Sequence, residues 1–211
     1  MSQDKTLEPP TQATIDRDRG TTRFWFNHET SLAPTGHYQV AGGICWPKLV
    51  GDVFKGCAVI GARNTDTGII YIFDQREFTS IGHVIGSDGN LKSIGLAPWF
   101  VQNWAKYYCY RYYWFQCDEY NKSFRLRVGR SDLIEPRPSL IQTHWGHDDH
   151  VELIIADALA QQKLKFKAGT PVHCDMQQHQ ADPKQGPFPA RHALSCLLTG
   201  LGSKRIPDKA E

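Results

Sequence analysis

The sequence predicts an α/β fold with a central mixed sheet of about five strands, opening with an antiparallel meander and flanked by helices. Three observations carry this expectation. Three strand-like runs crowd into residues 38–74, the last two separated by a turn signal. Helix-like and strand-like segments then alternate, and an apolar helix comes last, before a short polar end.

Residues 1–22 are polar, contain Pro9-Pro10 and alternate charge through Asp16-Arg17-Asp18-Arg19. They offer little apolar surface to offset the entropy of ordering, which predicts a flexible N-terminal tail. Folded structure is expected from Phe24-Trp25-Phe26 onward, as one domain over 23–205 with a frayed tail at 206–211. The first strand is expected over 38–45, stopped at Trp46-Pro47 because proline cannot donate to a ladder. The second covers 52–62, DVFKGCAVIGA, an apolar run that suits a strand covered on both faces. NTDTG at 64–68 is a turn, and IIYIFD at 69–74 is the third strand. So short a loop makes the second and third strands an antiparallel hairpin.

A glycine-rich connection at 82–95 leads to a helix with Pro98 at its first position and Phe100, Val101, Trp104 and Tyr108 on one face. A fourth strand is expected at 112–117 and a fifth at 124–128, with Pro136 and Pro138 marking a loop. The next helix has the stripe Val151, Ile154, Ile155, Ala158 and Leu159. Asp148, Asp149 and Glu152 at its start, and Lys163 and Lys165 near its end, complement the helix dipole. The last helix runs over 190–201 with Ala193, Leu194, Leu197, Leu198 and Leu201 inward, and Gly200 or Gly202 ends it.

Composition narrows the function classes. Apolar residues are 40% and charged residues 22%, as in ordinary globular proteins. No apolar run approaches the roughly 20 residues of a membrane span, and MSQDKTLEPP lacks the apolar core of a secretory signal. A cytoplasmic protein without a membrane partner is the expectation. The six cysteines contain no C-x-x-C pair and read as thiols, not as a disulfide framework. The net charge of +2 neither requires nor forbids nucleic acid, so any basic surface must be local. No G-x-x-x-x-G-K-[ST] loop occurs, so the chain carries no such nucleotide motor of its own.

Several segments share one likeness. Gly43-Ile44-Cys45-Trp46 has the form G-I-D-W except at Cys45, Asp52 opens the second strand, and GIIYIFD ends in Asp74. Glu119-Tyr120-Asn121 follows the fourth strand as an acid with Asn two places on. In this order, over residues 38–202, the chain resembles the nuclease domain of phage large terminases in the ribonuclease-H-like superfamily. The resemblance implies a divalent-metal endonuclease that cuts viral DNA during genome packaging, in the host-cell cytoplasm. Its partners would be double-stranded DNA and packaging or virion proteins. Asp118 and Glu119 would hold Mg²⁺ or Mn²⁺, Asp52 would assist, and Asp149 is the candidate third acid. Cys45 departs from the pattern, since a thiolate is a soft ligand and two-metal cleavage uses hard oxygen ligands.

The third acidic position has two registers. If FPARHALSCLLTGL is the family's closing helix, its acidic pair falls on Arg191-His192, and an arginine there repels metal. If Gly146-His147-Asp148-Asp149 is the matching text, Asp148 or Asp149 supplies the acid. Asp at a helix start also serves simply as an N-cap, and Asp118-Glu119 read alone are solvated acids at a strand end. Arg125, Arg127 and Arg130 are the candidate DNA contacts, because alternation puts Arg125 and Arg127 on one face. Two rivals stand beside the nuclease: an inactive DNA-binding or protein-docking module of the same fold, and a zinc-dependent hydrolase. The latter would draw on His173, Cys174 and His179 with Cys45 or the histidines of 144–150.

Overall fold

A computed structural model of the chain describes residues 12–16, 21–25, 36–50, 53–80, 82, 84–93, 95, 96, 99, 111–115, 139–143 and 148–202. The centre is a meander of β3 (Gly36–Val50), β4 (Val53–Asn64) and β5 (Ile70–Phe78), antiparallel throughout. These are the three runs of β-branched, aromatic and small residues seen in the sequence. Asn64 makes the turn between β4 and β5. Its Oδ1 accepts the N–H groups of Asp66 and Thr67, both at 2.9 Å, and Gly68 takes a φ of 71° that suits only glycine well. The expected stop at Trp46-Pro47 is instead a bulge, after which β3 resumes pairing at Lys48. A bulge absorbs the missing proline N–H without ending the strand.

Two more strands extend the sheet from the other edge of β3. β8 (Arg111–Phe115) lies parallel to β3, and β9 (Ser139–Thr143) lies parallel to β8. β8 overlaps the fourth strand expected at 112–117. The strand expected at 124–128 lies outside the described residues, as does most of the helix expected from Pro98. The observed partner of β8 is β9, just after Pro138, where the sequence suggested only a loop.

β1 (Gln12–Asp16) and β2 (Thr21–Trp25) form a hairpin, and β2 adds to β3 at Gly36–Tyr38. Residues 12–16 and 21–22 of the segment expected as a flexible tail are therefore strand. Its composition is polar, yet Thr, Ile, Phe and Trp suit strands, and the edge of β3 supplies the backbone partners. The glycine-rich connection also holds a small antiparallel pair, β6 (Val84–Ile85) and β7 (Leu91–Ser93).

Three helices are described. α1 (Asp148–Ala160) starts where the sequence placed it and buries Ile154, Ile155 and Ala158, while Leu159 is 41% exposed. Lys163 and Lys165 lie beyond its end, not in its last turn: after Gln162 at φ 54°, Leu164–Lys165 forms β10, parallel to β5. α2 (Pro171–Ala181) and a 3₁₀ turn at Pro183–Gln185 follow, then α3 (Pro189–Gly200). None of these helices is long and apolar enough to cross a membrane, among the described residues.

The described architecture is thus mixed α/β, with a mostly antiparallel open sheet. α3 packs across β3, β4 and β8, and its Ala193, Leu194, Leu197 and Leu198 are fully buried. The approach is so close that a Cβ on Gly43 would lie 1.9 Å from the Ala193 carbonyl oxygen. Gly43 is needed because backbone meets backbone there. Alternation sends Ala41, Cys57, Val59, Ile70 and Ile72 to this helix-covered face. Tyr38, Ile44, Ala58, Ile60 and Ala62 are buried on the opposite face, so β4 is indeed covered on both sides.

Candidate functional site

Strand register fixes which chain segments leave the sheet together. Gly42, Tyr112 and Leu140 stand side by side, as do Ile44, Trp114 and Gln142 on β3, β8 and β9. The three strands point the same way. Ile44 therefore stands level with the carboxyl ends of β8 and β9, while β3 itself runs on to Val50. In open α/β sheets, ligand sites gather beyond the carboxyl ends of parallel strands.

Of the candidate acids, two follow one of these strands in the sequence. Asp118 and Glu119 follow β8, and both lie outside the described residues, as do Asp52, Arg125, Arg127 and Arg130. Asp149 is in the first turn of α1, and its backbone is helical while its side chain lies outside the description. The tip of the β3–β4 hairpin is formed by Val50 paired with Val53, with Asp52 between them in sequence.

The alternative third position is fully visible, and it is occupied by structure. Arg191, in the first turn of α3, is buried and donates from its guanidinium to Glu152 of α1. The other carboxylate oxygen of Glu152 lies 3.0 Å from Nε2 of His179 on α2. One half-exposed acid thus ties all three helices together. His179 also meets the edge of Phe188, with ring centroids 5.2 Å apart.

The start of α3 is filled as well. Asp175 of α2 is buried, and its Oδ2 accepts the N–H of Ala190 at 2.7 Å and that of Arg191 at 3.2 Å. Those N–H groups have no partner within their own helix, so a carboxylate from a neighbouring helix serves as the cap. Burial raises the Asp175 carboxyl above its ordinary range; the two N–H groups oppose this, Glu77 adds to it and Lys55 counters it. α2 is fastened at its own start too, where Val172 N–H donates to Gln75 Oε1 of β5 at 2.7 Å.

Sequence reasoning missed Asp175 and Gln75, because α2 itself was missed. Its segment PVHCDMQQHQA buries only Val172 and Asp175, so it has no apolar stripe to read. The available signal was Thr170-Pro171, a favoured N-cap type followed by proline at the first helical position.

The zinc set does not assemble in the described part of the chain. His173 uses Nδ1 to accept the Gly169 N–H at 3.2 Å, His179 faces Glu152, and Cys174 is exposed. Among the described residues no group of three or more His, Cys, Asp or Glu could hold a metal ion. Compared with known protein families, with curated proteins and with solved structures, the chain matches none.

Proposed function

We propose that this chain is a ribonuclease-H-like nuclease domain of the terminase type, cutting double-stranded viral DNA during genome packaging in the host-cell cytoplasm. The observation that carries this reading is the sheet order. A three-strand antiparallel meander has two further strands added parallel beside its first strand, and a helix opening on Asp148-Asp149 comes next in the chain. That is the arrangement expected of a mixed sheet that opens with a meander and keeps its acids at one edge.

The same geometry favours one register for the third acid. Arg191 is bound to Glu152 and the start of α3 is capped by Asp175, which supports seeking the third acid elsewhere. α1 begins soon after β9, at the edge where β8 also ends. Chain reach keeps Asp118 and Glu119 within about 15 Å of Phe115. By contrast, β3 runs on from Ile44 to Val50, about 20 Å of strand, and Asp52 comes after it in the sequence. The metal set therefore rests on Asp118, Glu119 and Asp149. Magnesium or manganese ions, when bound, supply Lewis-acid stabilisation of the phosphoryl oxygens and an activated water. The acids hold and space the ions, and Arg125, Arg127 and Arg130 would bind backbone phosphates.

Plasmid cleavage by the full chain with Mn²⁺ or Mg²⁺ tests this, wild type beside Glu119→Ala and Asp149→Ala. Each substitution is expected to lower cleavage at least about 100-fold, more than the usual loss for an outer-shell partner. Full activity in Asp149→Ala would remove α1 from the site.

A second reading has its own observation. Cys45 is a thiol packed against the core where the terminase pattern has an acid. The same fold would then bind DNA or dock packaging or virion proteins without cutting. Wild-type protein that binds DNA but never nicks it would establish that reading.

A further inference from the structure

Cys45 and Cys57 are direct partners across the β3–β4 ladder, so their side chains leave the same face of the sheet. Both are thiols in this structure: Cys57 is fully buried in the core and Cys45 is half-buried against it. Directly opposed residues in an antiparallel pair have Cα atoms about 4.5 or 5.5 Å apart, depending on the hydrogen-bonding position. A disulfide needs about 4.4–6.8 Å. The Cα separation meets this requirement in either case. Cys45 is also the last regularly paired residue before the bulge at Trp46-Pro47, so the ladder beyond it is already interrupted.

We infer that Cys45 and Cys57 are a redox pair, which a small-molecule disulfide converts into a cross-strand disulfide. The partly exposed Cys45 thiolate attacks the oxidant, R–S–S–R, to give Cys45–S–S–R and one R–S⁻. Cys57 loses its proton and attacks the Cys45 sulfur, releasing the second R–S⁻. Two protein thiols are oxidised, one disulfide is reduced to two thiols, and the protein loses two hydrogens. Burial, and then the Cys45 sulfur beside it, hold the Cys57 thiol well above its ordinary range. The greater exposure of Cys45 assigns attack on the oxidant to it. The inference stands on strand register alone and is independent of the nuclease reading.

The test incubates the reduced full chain with glutathione disulfide, quenches in acid, alkylates remaining thiols after unfolding, and maps peptides by mass. Exposed Cys174 is the internal control that the oxidant has acted. The expected product is a peptide joining Cys45 to Cys57, lighter by two hydrogens, with alkylation lost at both positions together. In Cys57→Ala that link disappears and Cys45 carries glutathione. In Cys45→Ser, Cys57 remains an alkylatable thiol. The idea fails if both cysteines stay alkylatable while Cys174 carries glutathione. It fails equally if Cys45 is joined to another cysteine, such as Cys196, whose Sγ lies 3.8 Å from the Ile44 carbonyl oxygen.

Discussion

Asp175 shows how one side chain can join two helices while opposing its own ionisation. It accepts two N–H groups at the start of α3, yet burial outweighs them and its carboxyl titrates above 3.8, the ordinary value. A carboxyl raised in the folded state contributes stability that is complete below the unfolded value and lost as pH rises through the folded one. Asp175→Asn keeps an accepting oxygen and removes the charge. Its stability relative to wild type is therefore expected to improve as pH rises from about 4, levelling off once Asp175 is ionised. Asp175→Ala instead leaves two buried N–H groups without their acceptor and is expected to cost about 1–3 kcal/mol. Urea midpoints from pH 4 to 8 decide it: the same pH slope in Asp175→Asn and wild type would show that Asp175 is not the titrating group. Nothing in the sequence around Asp175 announces this role, because the N–H groups it caps lie 15 and 16 residues away in the chain. Gly43 is a similar case, since a glycine in a strand-like run gives no sign that a helix backbone rests on it.

Elements were legible where apolar side chains are buried at a regular spacing and illegible where contacts are polar or supplied by a partner. α3 reads directly, because Ala193, Leu194, Leu197 and Leu198 recur at helical spacing and all are buried. α2 does not, because its attachments are hydrogen bonds that backbone N–H groups donate to Gln75 and Asp175. β1 and β2 do not, because their pairing edge belongs to β3. The Arg191–Glu152 contact belongs to this class of hidden attachment and makes a direct prediction. Glu152→Ala leaves a buried guanidinium without its carboxylate, for which the loss of a charged hydrogen bond suggests about 1.5–3 kcal/mol. The half-exposed Glu152 side chain places the effect at the lower end of that range. Arg191→Met, apolar and of similar bulk, is expected to cost less, and adding Glu152→Ala to it should cost little more. Chemical unfolding of the four proteins measures the coupling. Additive losses would mean that the pair does not hold α1 to α3.

At the scale of the whole molecule, the meander and the mixed α/β class were legible from 38–74, where apolar runs and the NTDTG turn left few alternatives. The partnership of β8 with β9 was not, since parallel pairing joins distant segments and leaves no local signal. On the proposed register the third acid would lie at the start of α1 instead of α3, and the question of function then narrows to Cys45. On the nuclease reading, position 45 is where the first hard ligand belongs, on the strand beside β8. Cys45→Asp supplies a carboxylate there, while Cys45→Asn has nearly the same shape and is a far weaker metal ligand. If the remaining acids form a metal site, Cys45→Asp is expected to raise Mn²⁺-dependent plasmid nicking at least about tenfold over wild type, on the scale of a restored metal contact. Cys45→Asn should leave it unchanged. Both substitutions place a polar group beside buried Cys57, and the charged Asp costs more there than Asn, so nicking is compared per folded protein. Equal nicking by the two variants, in protein that remains folded and binds DNA, would mean that the edge holds no metal set to complete. The chain would then act as a DNA-binding or docking module on the same sheet.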